Sequence, residues 1–144
     1  MKVSQRIFPA LGLTIALSAL AGCSSMKTKG KHELQNSSAL PAASGKVEAK
    51  EGKNGNTELS VKVEHLARPS ALQNPANTYV VWVEDRQSGN LANLGALKVD
   101  DNLNGRLDAV TPFKDFDVFL TPEAQPAIAQ PSGERVLWTQ VAED

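Results

Sequence analysis

Apolar residues recur at every second position through much of residues 46–144, and that period constrains the fold more than any other feature of the chain. Leu59, Val61 and Val63 alternate with Glu58, Ser60, Lys62 and Glu64, and Val47 and Ala49 alternate with Lys46, Glu48 and Lys50. Successive side chains of a strand point to opposite faces, so the pattern predicts strands with one face buried. Tyr79-Val80-Val81-Trp82-Val83 is apolar on both faces and predicts a central strand. Residues 94–99, 107–110, 116–120 and 136–141 bring the set to about seven. Lys53-Asn54-Gly55-Asn56, Ser88-Gly89-Asn90, Asn102-Leu103-Asn104-Gly105 and Pro131-Ser132-Gly133 punctuate them with turn-forming residues. No stretch here sustains a helical period. The expectation over 46–144 is an all-β domain, an Ig-like antiparallel β-sandwich of about seven strands, with a half-open barrel as the alternative.

The amino-terminal part has a different grammar. Within residues 1–22 only Lys2 and Arg6 are charged, and an uncharged, mainly apolar stretch follows over 7–22. It is short of the ~20 residues a spanning helix needs, and it has the layout of a secretory signal. Leu20-Ala21-Gly22-Cys23 then resembles the lipobox of bacterial lipoproteins. The resemblance implies cleavage before Cys23, a diacylglycerol on its sulfur, acylation of the new amino terminus, and a membrane partner held through that lipid. Ser24 stands where an Asp resembles an inner-membrane retention signal. In a two-membrane bacterium this points to the outer membrane, facing the periplasm. Cys23 is the one cysteine of 144 residues, so no disulfide or cysteine metal site is expected in the domain.

Residues 24–45 are rich in Ser, Ala, Gly and Pro and sparse in apolar side chains. With little surface to bury, 23–45 reads as the lipidated cysteine and a disordered, flexible linker, with a coil reach of about 25 Å. Lys27, Lys29 and Lys31 read as a solvated or headgroup-attracted run, and His32 as a linker residue. The whole chain balances 15 basic against 16 acidic residues, whereas 46–144 holds 10 against 15. Such a domain is no nucleic-acid binder, and a long linker is expected to hold it clear of an anionic membrane.

Short motifs within the domain carry a second resemblance. Tyr79-x-Val81-Trp82, Gly95-Ala96-Leu97, Val118-Phe119-Leu120-Thr121-Pro122-Glu123 and Pro131-Ser132-Gly133 look like the extracytoplasmic C-terminal domain of anti-sigma-K factors, over residues 46–142. The resemblance implies an envelope-facing sandwich used for sensing or scaffolding. The sequence carries neither the cytoplasmic sigma-binding domain nor the spanning helix of that family, so sigma-factor regulation is not carried over.

Candidate chemistry is thin. Asp100, Asn102, Asn104 and Asp108, with Gly105 between, match the first nine positions of a calcium loop, but Thr111 stands where the bidentate Glu belongs. A hairpin turn explains the same residues. Asp115 and Asp117 flank Phe116, and a paired-carboxylate site is weighed there against a solvated strand face. His65, beside no recognisable nucleophile, reads as a surface residue. Trp82 and Trp138 are expected in the core, the alternative being an aromatic platform for a carbohydrate or protein. Two proline-bearing loops, 67–77 and 121–133, are long for a sandwich and are the first place to look for a partner. The expected function is a cell-envelope lipoprotein presenting the sandwich as a binding or structural module for an envelope protein or polymer. It is not expected to be an enzyme, and no cofactor is expected. The alternatives are a calcium-binding adhesion module and an envelope hydrolase.

Overall fold

The alternation at 57–64 is realised position by position. Thr57, Leu59, Val61 and Val63 are buried, while Glu58, Ser60 and Lys62 between them are half-exposed. The computed structural model describes residues 28–142, so the expected signal segment, the lipobox and Cys23 lie outside the described residues. Within it run β1 (Thr28–Glu33), β2 (Gln35–Asn36), β3 (Ser44–Glu51), β4 (Thr57–Glu64) and β5 (Thr78–Asp85). They are followed by β6 (Leu91–Ala96), β7 (Lys98–Val99), β8 (Gly105–Thr111), β9 (Phe116–Glu123) and β10 (Leu137–Val141). The strands form two antiparallel five-stranded sheets, ordered β1-β3-β4-β8-β7 and β2-β10-β9-β5-β6. From β3 onward the pairing is that of an Ig-like sandwich: β3-β4-β8-β7 take the places of A-B-E-D, and β6-β5-β9-β10 those of C′-C-F-G. The inward residues, among them Val47, Val61, Val81, Val118, Leu120 and Leu137, are wholly buried between the sheets, each contributing about 1.5–3 kcal/mol.

Both lateral edges of the sandwich are bridged by a chain that changes sheets. β1 ends in the first sheet and β2 begins in the second, with Leu34 as the pivot. On the opposite edge β6 hands over to β7 across Leu97. Each pivot leucine is buried and presses against a glycine of the facing strand. A Cβ at Gly45 would stand 2.9 Å from Leu34 Cδ1, and one at Gly105 would stand 2.3 Å from Leu97 Cδ2. Leu34 N–H donates to the Gly45 carbonyl and Leu97 N–H to the Tyr79 carbonyl, both at 2.8 Å, so the ladder is not orphaned where the sheets part.

This bridging corrects the expected 23–45 linker. Residues 28–45 belong to the sandwich, and ten strands replace about seven because β1 and β2 are added and the expected strand at 94–99 is split. Of the apolar residues of the segment, Leu34, Leu40 and Ala43 are buried, and Ala39 and Ala42 are exposed. Asn36 Nδ2 ties the following loop by donating to the carbonyls of Leu40, Pro41 and Ala43 at 3.0–3.1 Å. An edge strand is held largely by main-chain bonds to one neighbour, so it forms without the hydrophobic pattern that reveals a central strand.

Strand directions and register sort the connections between two ends. Residue 28 opens β1 opposite Lys50, beside the connections 52–56, 86–90 and 112–115. The connections 37–43, 65–77, 100–104 and 124–136 lie at the other end. A chain beginning at residue 44 is expected to be much less stable than one beginning at residue 28, by more than about 4 kcal/mol given 2–5 for each buried leucine removed. Equal urea-unfolding midpoints for the two chains would make 28–43 a linker after all.

Candidate functional site

The two proline-bearing loops meet at the end remote from residue 28, and both are fastened. The first is held at its start by Leu66 N–H to the Leu103 carbonyl (3.0 Å) and by the Tyr79 hydroxyl, which donates to the Ala67 carbonyl (2.8 Å). Burial pushes that phenol up to about 12, so it remains a donor across the physiological range. The loop turns through a single 3-10 segment, Pro69–Ala71, and is closed by Ala76 N–H to the Pro69 carbonyl (3.0 Å). Asn77 then joins it to the second loop, its N–H donating to the Glu123 carbonyl (3.0 Å) and its Nδ2 to the Ala124 carbonyl (2.9 Å).

The second loop is a strap across the outer face of the second sheet. Register places Trp82, Phe119 and Trp138 side by side on β5, β9 and β10, with the Trp82 and Phe119 rings 6.5 Å apart and nearly parallel. Trp82 and Phe119 are buried with Val80 in a cluster separate from the inter-sheet core, against Leu91, Ile128 and Trp138. Asn93 on β6 donates to the Pro126 and Ile128 carbonyls at 2.9 Å each, and the Arg135 guanidinium lies 3.8 Å over the Phe119 ring while pairing with Glu84 at 2.7 Å. At the other end of the row, Trp138 Nε1 donates to Gln35 Oε1 (3.0 Å). Trp82 is therefore buried as expected, but beneath the strap rather than between the sheets, and Trp138 is half-exposed at the margin.

Glu123 locks the strap. Its side chain is 1% exposed. Oε1 accepts from Thr121 Oγ1 (2.6 Å), Ser132 N–H (2.9 Å) and Gly133 N–H (3.2 Å), and Oε2 accepts from the Ser132 hydroxyl. Thr121 Oγ1 in turn accepts from Trp82 Nε1 (2.9 Å). Burial by itself would raise this carboxyl. The bonds from the Ser132 and Thr121 hydroxyls and the Gly133 and Ser132 amides together outweigh it and hold the group below its ordinary 4.5. Gly133 is required here, because a Cβ would lie 2.2 Å from the Pro122 carbonyl oxygen. Glu123 was not a candidate site in the sequence; its signals were its place in the motif Val118-Phe119-Leu120-Thr121-Pro122-Glu123 and a charge soon after the apolar run 118–120.

Between the loops opens a groove of about 500 Å³. Gln73, Asn74 and Pro75 form one wall, Ser132, Gly133 and Glu134 the other, and Pro122 and Val136 contribute apolar surface. A larger depression, about 580 Å³, lies on the outer face of the first sheet. Of its charged lining residues all but Lys62 are ion-paired: Glu48 with Lys31 and Lys46, Lys50 with Glu58, and Arg106 with Asp108. The groove between the fastened loops is thus the stronger candidate, its polar groups being exposed and free of ion pairs among the described residues.

The remaining candidates are dispersed. Asp100 Oδ1 accepts the amides of Asn102 and Asn104 at 2.9 Å each, with Leu103 at φ 63, so this carboxylate shapes the β7–β8 turn. Asp108 lies on β8 beside Arg106 instead of facing Asp100. Asp115 and Asp117 are clasped by Arg86 at 3.1 and 3.8 Å, at the end where residue 28 lies. His65, exposed at φ 57, sits at the opposite end. Among the described residues no group of three His, Cys, Asp or Glu side chains converges for a metal. In comparisons with known proteins, no family model matches the chain and no curated protein matches it.

Glu123→Gln tests the lock. A carboxyl whose folded value is lowered contributes stability above the unfolded value, and this is lost as pH falls through the folded one. The variant should be about 1.5–3 kcal/mol less stable than wild type at pH 7. Urea titrations should show that gap closing as pH falls below 4.5; a gap independent of pH would mean that the charge of Glu123 is irrelevant.

Proposed function

We propose that the protein is a lipid-anchored component of a bacterial cell envelope whose sandwich acts as a binding module, through the groove between its two proline-bearing loops. The lipobox residues Leu20, Ala21, Gly22 and Cys23 support the anchor, and the fastening of the loops carries the binding role. Loops held by Glu123, Tyr79, Asn77 and Asn93 present one preorganised surface, which lowers the ordering cost of association. They lie at the end of the sandwich remote from residue 28, where a second envelope component has access. The residues with acid–base capacity, His65 and the Asp115 and Asp117 pair, sit at opposite ends, an arrangement that favours binding over hydrolysis. The partner is an envelope protein or polymer, and the localisation is the outer membrane facing the periplasm where two membranes are present.

Cys23→Ser is expected to abolish palmitate labelling and move the protein from the membrane to the soluble fraction. A photo-crosslinking residue at Asn74 should give a discrete adduct in the native envelope, and the same residue at Asn54 should not. Matching adduct patterns at the two positions would remove the groove from consideration.

A further inference from the structure

The first described strand begins at Thr28, five residues after Cys23, and this changes how an anchored molecule must sit. From Cys23 to Thr28 the chain spans at most ~18 Å even fully extended. That is shorter than the roughly 26 Å of an eight-residue strand such as β3 or β4. A lipid on Cys23 therefore holds the domain beside the bilayer by the end at which β1 starts, in place of the long linker expected from the sequence.

That end is the less acidic of the two. With the strand residues that flank them, its three connections carry Lys53, Arg86 and Lys114 against Glu51, Asp85 and Asp115. Counted in the same way, the four connections of the other end carry Arg68 and Arg135 against Glu64, Asp100, Asp101, Glu123 and Glu134. Lys53 and Lys114 take part in none of the ion pairs among the described residues, and neither does Lys29, which is buried at 8% exposure and serves as a tie. Lys29 Nζ instead donates to the Lys114 carbonyl (2.9 Å) and Lys114 Nζ to the Gly55 carbonyl, tying the strand start, the 112–115 loop and the 52–56 turn into one surface. Arg86 pairs with both Asp115 and Asp117 and balances one of their two negative charges. Apolar groups sit among the cations: Pro112 is exposed, Phe113 half-buried, and Val110 57% exposed.

We propose that this end of the sandwich, formed by 52–56, 86–90 and 112–115, seats on the anionic phospholipid headgroups of the membrane that holds Cys23. The proposal rests on the lipid-anchor reading above. Short reach makes the contact unavoidable in one orientation, and each unpaired lysine near the surface favours that orientation by about fivefold. The seat directs the 65–77 and 124–136 loops away from the lipid.

The test uses the lipidated full chain with a fluorophore on an added cysteine, Asn54→Cys or Gln73→Cys, in vesicles of phosphatidylethanolamine and phosphatidylglycerol containing a nitroxide-headgroup lipid. Flotation is read first: a lipidation-dependent float establishes the anchor, and failure to float overturns both the anchor and the seat. In floated protein, quenching several times stronger at position 54 than at 73, and weakened in neutral phosphatidylcholine vesicles, is the expected result. Equal quenching at the two positions, or stronger quenching at 73, overturns the seat while leaving the anchor intact. Contrast unchanged in neutral vesicles overturns the role of the lysines.

Discussion

Two sheets packed face to face leave open sides, and this fold depends on how those sides are shut. At both of them one chain crosses from sheet to sheet through a buried leucine that fits only because the facing residue is glycine. Leu34 meets Gly45, and Leu97 meets Gly105 together with Leu66. A side chain on either glycine would have to displace the pivot, and with it the register of the strands that flank it. Because the crossings sit on edge strands, they also shield main-chain groups that would otherwise recruit another strand. The result lies between an open sandwich and a barrel.

With its sides shut, the domain still carries apolar residues on an outer face. Val80, Trp82 and Phe119 point away from the inter-sheet core and are nonetheless buried. The strap supplies their cover, and the strap needs a fastener at its far end. Glu123 provides it through Ser132 and Gly133, with Thr121 linking the carboxylate to Trp82. Residues far apart along the chain thus converge in space: Trp82, Thr121, Glu123, Ser132 and Gly133 form one connected network. Their first duty in this molecule is architectural. They hold the loop geometry from which any binding surface at that end is built.

The molecule is polar along its long axis. One end carries residue 28, three short connections, and Lys53 and Lys114, which are outside the ion pairs among the described residues; the other carries the long loops. That arrangement follows from an even count of antiparallel crossings, which returns the loops between β4 and β5 and between β9 and β10 to the same end. Under the proposed lipid anchor and headgroup seat, the short connections would face the membrane and the long loops would face outward, which gives the proposed binding role a direction.

The sequence by itself determined which residues form most of the strands. Alternation at 57–64, the two-sided apolar run 79–83 and the turn residues at 53–56, 88–90 and 102–105 are local signals, and a strand needs only local signals to choose its faces. The long loops at 67–77 and 121–133 stood out along the chain by length alone. Tertiary structure alone decided the rest. Residues 28–45 became strands because a neighbouring edge offered them hydrogen bonds, although their own composition argued for a linker. Trp82 was buried by a strap roughly fifty residues further along the chain, and Glu123 gained its partners from that same strap. The candidate groove joins loops more than forty residues apart. Such features arise from contacts between distant segments, and no period or motif read along one segment contains them.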